Sequence, residues 1–249
     1  MAATSSIVKF SAFDAAQLHV GTEPQKNSKG GKYFTIGYGP QKAPLKLQTP
    51  ACYMPFGVST FTDDKTGVTS HSVELSMRGY EGEDPKTKAF YDVMQAIDDA
   101  VLIAAVANSV AWFGKAMSRD VIAEFYKPCI KPPRNPKFSP LVKVKINKMG
   151  VGEGVWPRIY DIKDTATDQG LDYILRRSTG FLIVSVPSVW MIQKTFGASL
   201  RLVQMVITDR PVPDEGFMFD GLDLMDVDHP SAPPPLAPPP AAEDSEEGE

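Results

Sequence analysis

Residues 139–147 read SPLVKVKIN. Val142, Val144 and Ile146 alternate with Lys143, Lys145 and Asn147, so one side of the segment is apolar and the other polar and cationic. A period of two belongs to an extended strand with one face on a core, because successive Cβ atoms point to opposite sides of the chain. Upstream, Ser70 to Met77 repeats the pattern, with Val73, Leu75 and Met77 opposing Ser72, Glu74 and Ser76. Tyr33 to Tyr38, bounded by Gly30-Gly31 and Gly39-Pro40, and Leu45 to Thr49, stopped by Pro50, are further short β segments. Phe181 to Val186 and Leu200 to Ile207 extend the series downstream.

Between the two alternating segments the period changes. Asp84 is a good N-cap and Pro85 suits a first helical turn. Phe90, Met94, Ile97, Val101, Ala104, Asn108 and Trp112 then fall at spacings of three and four, one continuous stripe. The run from Ala100 is apolar nearly all round, which predicts a buried helix over 85–113, ended by Gly114. Ser118 caps a shorter helix over 118–126, which must stop before Pro128. Strands, a helical insertion and more strands predict a mainly β fold, a small closed or partly closed barrel with a helical cap. Residues 1–28 are polar and weakly patterned and read as a flexible or edge-pairing lead, leaving 29–210 as the folded domain.

The charge is unevenly spread. Residues 211–249 hold 11 acids and no Lys or Arg, which leaves 26 basic against 19 acidic residues over 1–210, a net of +7. A positive body attracts phosphates, and a negative tail competes for that surface or recruits basic partners. Within the tail, 230–242 is almost entirely Pro and Ala and the end reads EDSEEGE, a composition that predicts disorder. Gly216 to Val227 differs, interleaving Phe217, Met218, Phe219, Leu222, Leu224 and Met225 with acids, as a short linear binding element would. Phe217, Phe219, Asp220 and Asp223 are its candidate docking residues.

Catalytic patterns fail on inspection. Gly114-Lys115 lacks both the earlier glycine and the following Ser or Thr of a phosphate loop. Gly150, Gly152 and Gly154 lack the third glycine and the helix of a dinucleotide loop, and read better as a hairpin turn. The tail aspartates do not keep calcium-loop spacing. His19, His71 and His229 are scattered, no C-x-x-C or H-x-x-H occurs, and no triad can be assembled. No enzyme activity, cofactor or metal is therefore expected. Cys52 and Cys129 read as two reduced thiols of an intracellular protein without a signal peptide's apolar stretch. The longest apolar run, Ala100 to Ala107, is far short of the roughly 20 residues a membrane helix needs.

Phosphate recognition has the stronger signal. Lys115, Arg119, Lys127, Lys131, Arg134, Lys137, Lys143, Lys145 and Lys148 stand against only Asp120 and Glu124. Lys143 and Lys145 share the outward face of a strand, a spacing that can follow a phosphate backbone. Rings lie near these cations: Tyr33 beside Lys32, Phe138 beside Lys137, Trp156 near Arg158. Bases stack on such rings with little regard to sequence. Any one lysine can equally be solvated surface and Trp156 equally a core ring, whereas Trp112, Phe90 and Trp190 read as core.

The stretches GGKYFTI (Gly30 to Ile36), PLKLQTP (Pro44 to Pro50), MPFGVS (Met54 to Ser59) and ANSVAWFGKAMSRDVI (Ala107 to Ile122) carry a resemblance, with SPLVKVKI (Ser139 to Ile146), FGASLRLVQM (Phe196 to Met205) and EGFMF (Glu215 to Phe219). Together they resemble the single-stranded DNA-binding proteins of large nucleocytoplasmic DNA viruses, which are related to tailed-phage single-stranded DNA-binding proteins with an OB-fold. The resemblance implies an OB-fold-like antiparallel β-barrel with inserted helices, and sequence-independent coating of single-stranded DNA in replication, recombination and repair. It implies a tail that occupies the DNA cleft when DNA is absent and contacts replication proteins when DNA displaces it. Phage relatives end in an aromatic residue, whereas this sequence ends in Glu249, so Phe217 and Phe219 are expected to supply that ring. Lys32, Lys143 and Lys145 become the leading phosphate contacts and Tyr33 a stacking ring. Lys115, Arg119, Lys131, Arg134, Lys137, Trp156 and Arg158 complete the expected DNA-binding set. A homo-oligomer is allowed, no membrane partner is expected, and the expected compartment is the host cytoplasm (a viral factory) or nucleus. The competing class is an acidic-tailed interaction adaptor or chaperone of basic proteins, in which the body is only scaffold.

Overall fold

The structure, a computed structural model, describes residues 7–26, 30–150 and 154–211. The chain divides into two units, Met1–Pro211 and Val212–Glu249. The second, with Phe217, Phe219, Asp220 and Asp223, lies outside the described residues.

The N-terminal part supplies β1 (Ile7–Lys9), β2 (Leu18–Val20), β3 (Gln25–Lys26) and β4 (Lys32–Tyr38). Next come β5 (Leu45–Gln48), β6 (Cys52–Met54), β7 (Val58–Thr62) and β8 (Thr69–Ser76). Helices α1 (Pro85–Ala107), α2 (Ser109–Phe113) and α3 (Arg119–Phe125) follow, then β9 (Ile130–Lys131) and β10 (Leu141–Ile146). The chain finishes with β11 (Arg158–Asp161), β12 (Ser178–Val186), β13 (Ser188–Ile192), β14 (Thr195–Ala198) and β15 (Arg201–Asp209).

Five strands close a ring in which β12 pairs β6, β6 pairs β8, β8 pairs β10, β10 meets β15, and β15 returns to β12. All these pairings are antiparallel except β10 with β15, which is parallel and joins Lys145 to Arg201. β5 continues β6 along β12, pairing Leu45–Gln48 with Ile183–Val186. The two-residue period of β10 thus becomes an inside and an outside: Val142, Val144 and Ile146 are buried, Lys143 and Lys145 exposed. Val73, Leu75, Leu182, Val184, Leu202 and Met205 fill the same interior.

A second sheet, ordered β14-β13-β4-β2, carries the helical layer. α1 buries Phe90, Met94, Ile97 and Val101. Trp112 of α2 stacks on Phe34 at 3.8 Å between ring centroids, meets Phe196 edge-on, and donates its indole N–H to Thr22 O at 3.2 Å. Asp98 ties α1 to the chain that follows α3. It accepts from the Tyr126 hydroxyl at 2.6 Å and from the Cys129 backbone N–H at 3.0 Å. Burial raises its carboxyl above the ordinary aspartate range despite those bonds.

Three expectations change. The helix expected over 85–113 breaks at Asn108, whose backbone leaves the helical region at φ -111° and ψ 23°, while its side chain joins its own N–H in donating to Ala104 O, at 2.8 and 3.0 Å. Its apolar run is not buried all round, because Ile103 and Val110 stay exposed. Of the two forms expected for the lead over 1–28, its described residues 7–26 take the edge-pairing one: β1 pairs in parallel with β5, and β2 and β3 pair with β4. Trp190, read as core, is half-buried. An antiparallel bridge joins Met149 to Val155.

Asp84 caps α1 by accepting from Lys86 N at 2.9 Å and from Thr87 Oγ1 at 2.7 Å. These bonds, led by that from Thr87, hold its carboxyl below the ordinary aspartate range. A depressed folded-state pKa contributes stability that is present above the unfolded value, near 4, and lost as pH falls through the folded one. Asp84→Ala is expected to lower stability by about 1 kcal/mol at neutral pH. The difference from wild type should shrink in acid, as denaturant melts at pH 7 and pH 3 would show.

Candidate nucleic-acid interface

β8 lies between β7 and β10 and pairs with both. Val58–Thr62 pairs with Thr69–Val73, and the turn is fixed by Asp63 Oδ1, which accepts from Lys65 N and Thr66 N at 2.9 Å. A groove of about 640 Å³ opens on the outer face of these three strands. Its floor takes polar atoms from Ser70, Ser72 and Asn147, its charge comes from Lys143, Lys145 and Lys148, and its rings are Phe61, His71 and Trp156.

The rings are held differently. Phe61, near the hairpin tip, is 66% exposed. Trp156 is 38% exposed, with His71 edge-on at 5.2 Å and the Lys148 ammonium over its face at 5.6 Å. His71 is fixed in turn by Thr60 Oγ1, 3.0 Å from its Nδ1. Two accessible rings in a polar, cationic trough are what unpaired bases require, since each base offers a π-face whatever its identity.

The electrostatics set these lysines apart. Lys145 lies beside Arg201 across the parallel ladder and two residues from Lys143. Partial desolvation first, then these two like charges, pulls its ammonium below the ordinary lysine range. Among the described residues Lys143, Lys145, Lys148 and Arg201 form no ion pair with an acid. A cluster of cations on a rigid ladder, with no acid paired to them among the described residues, is a site suited to anions.

Three of the residues expected from sequence therefore meet: Lys143, Lys145 and Trp156 line one groove. Others sit elsewhere. Lys131 is bonded to Glu74 at 3.4 Å and Arg119 to Asp99 at 3.4 Å, so both charges are partly neutralised. Lys115 follows α2 in the helical layer, and Arg158 on β11 opposes Gln204. Lys32 and Tyr33 belong to β4, where Tyr33 pairs with Trp190. Arg134 and Lys137 stand in the proline-rich connection before β10. Phe61 and His71 were missed because they join the site only through the pairing of β7 with β8.

No family model and no curated protein matches the chain. Among solved structures the fold is similar to gp2.5, a single-stranded DNA-binding protein encoded by bacteriophage T7, at 15% identity and a TM-score of 0.48, over 79% of this chain and 100% of that one. It is also similar to the single-stranded DNA-binding protein of bacteriophage Enc34 in complex with ssDNA, at 12% identity and a TM-score of 0.41, over 77% and 97% of the two chains. At these values the likeness carries no functional weight, which rests on the groove itself.

Because its folded-state pKa is lowered, protonated Lys145 opposes folding at neutral pH, a penalty relieved only as pH rises through that lowered value. Lys145→Ala is expected to leave the melting temperature unchanged or raised, while weakening retention on a phosphate-bearing resin. A fall of several degrees would assign Lys145 a structural role instead.

Proposed function

We propose that this protein binds single-stranded DNA without sequence preference, in the groove on the outer face of β7, β8 and β10. The observation that carries the proposal is the union in one trough of three lysines that form no ion pair among the described residues and two exposed rings, Phe61 and Trp156. Phosphates meet the lysines and bases meet the rings, so affinity comes from parts of DNA that every sequence shares. A duplex hides its base faces and offers only its phosphates, so single strands are preferred.

The strand order supports an OB-fold. With the β5–β6 limb as first ring strand, β8 and β10 are second and third, and β12 and β15 fourth and fifth. In such barrels the face of the second and third strands, with the loop between the first and second, takes oligonucleotides. The groove lies on those elements here, because β7 occupies that loop. A role in replication, recombination and repair follows as a proposal, inside a host cell. The acidic tail then acts as an electrostatic competitor of DNA and as a recruiter of replication proteins.

Titration of fluorescent oligo-dT and of duplex DNA at two salt concentrations tests the reading. Oligo-dT should bind more tightly, with log affinity falling at about −0.7 per phosphate against log salt, hence about −2 for three phosphates. The double substitution Lys143→Ala/Lys145→Ala should lower affinity about tenfold or more and flatten that slope by about 1.4. Indifference of binding to the double change would overturn the proposal.

Removal of residues 212–249, which carry 11 acids, should tighten oligo-dT binding, more at low salt than at high. Equal affinity of the shortened and full chains at low salt would remove the competitor role and leave only recruitment.

A further inference from the structure

The outward face of the β8–β10 ladder does not end at the groove. On β8 it runs through Ser72, Glu74 and Ser76, opposite Lys145, Lys143 and Leu141. The ladder continues one step, since Met77 N donates to Pro140 O at 2.9 Å, which brings Arg78 beside Ser139. There a second groove opens, of about 410 Å³, lined by Arg78, Lys137 and Phe138 with Glu81 and Glu83 among its other walls.

Phe138 is 70% exposed, the most exposed of the large apolar side chains among the described residues. Its presentation is built in. Asn135 Oδ1 accepts from Lys137 N at 3.0 Å, Asn135 O accepts from Phe138 N at 3.0 Å, and Pro136 and Pro140 stiffen the turn on either side. A ring held out to water by a fixed turn costs the fold hydrophobic burial, and the barrel's own packing gives no reason for it.

Resting on the reading that the first groove holds single-stranded DNA, we propose that Phe138 is a second base-stacking station, at the far end of the same strand path. From Ser72 to Arg78 is six residues, about 20 Å at about 3.3 Å per residue. That distance falls within the roughly 4–16 nucleotides a single-strand-binding barrel engages. One acid lies on the path between the stations, Glu74, and it is held by Lys131 at 3.4 Å and faces Lys143 in register. The path therefore stays open to a polyanion. The second groove differs in chemistry from the first. Arg78 and Lys137 offer cations at its rim, whereas Glu81 and Glu83 disfavour a phosphate inside it, so its occupant is a base and the backbone passes outside. DNA then lies along the ladder, pinned at Phe61 and Trp156 at one end and at Phe138 at the other.

The experiment is a length series in the full chain at low salt, with oligo-dT of about four and about twelve nucleotides. Phe138→Ala should leave the short oligonucleotide's affinity unchanged, because it fills the first groove alone, and weaken the long one about tenfold. Phe138→Trp should restore the long-oligonucleotide affinity. Equal affinity of wild type and Phe138→Ala for the long DNA overturns the second station, as does an equal loss at both lengths. Because Lys143→Ala/Lys145→Ala must lose affinity at both lengths, its behaviour separates the two readings. If wild type binds neither oligonucleotide, the proposed function falls and the second station with it.

Discussion

Ring closure at the seam between β12 and β15 is the constraint on which the rest of the structure depends. β12 is claimed on both edges, by β5 and β6 on one side and β15 on the other, so the barrel closes through it. The seam is tight where its register shifts: a Cβ on Gly180 would stand 2.5 Å from Val206 O, closer than any side chain tolerates. Closure forces each ring strand to present one face inward and one outward. It also forces β15 alongside β10 in parallel, so that Arg201 arrives beside Lys145. The positive cluster is thus a consequence of topology as much as of sequence.

Legibility followed the physics of each element. β8 and β10 were readable because one face of each meets an apolar interior and the other meets water, and alternation records that asymmetry directly. β1, β3, β6 and β9 are two or three residues long and have no period to read; they exist because a partner strand supplies their hydrogen bonds. α1 shows the opposite error. Its apolar periodicity continues through Asn108, yet the Asn108 backbone leaves the helical region and the helix breaks there. Ile103 and Val110 show that apolar composition all round a helix is not burial all round it.

The site was legible in part, and the missing part is instructive. Nine basic residues between Lys115 and Lys148 formed a clear compositional signal, but a sequence count cannot see which charges are already answered. Arg119 and Lys131 have acids at 3.4 Å, brought from 20 and 57 residues away. Lys143 and Lys145 have none among the described residues, and that difference, not the total, distinguishes an anion site from a solvated face. Trp156 was undecidable for a related reason. Its exposure depends on the Met149–Val155 bridge and on His71 arriving edge-on from β8, neither of which leaves a local pattern.

Lys148 poses the last question, because its ammonium stands over the face of Trp156 at 5.6 Å, where a base would stack. An exposed cation–π contact is worth about 0.5–1 kcal/mol, whereas a base stacked on an aromatic ring is worth roughly 1–3 kcal/mol. On the proposed function, a strand entering the groove gains by displacing Lys148 from the ring, and the displaced ammonium is then free to meet the phosphate of the same nucleotide. The contact itself shields an exposed indole. The exchange needs only a side-chain rotation on a fixed backbone, so the barrel itself can stay rigid while the groove changes occupants.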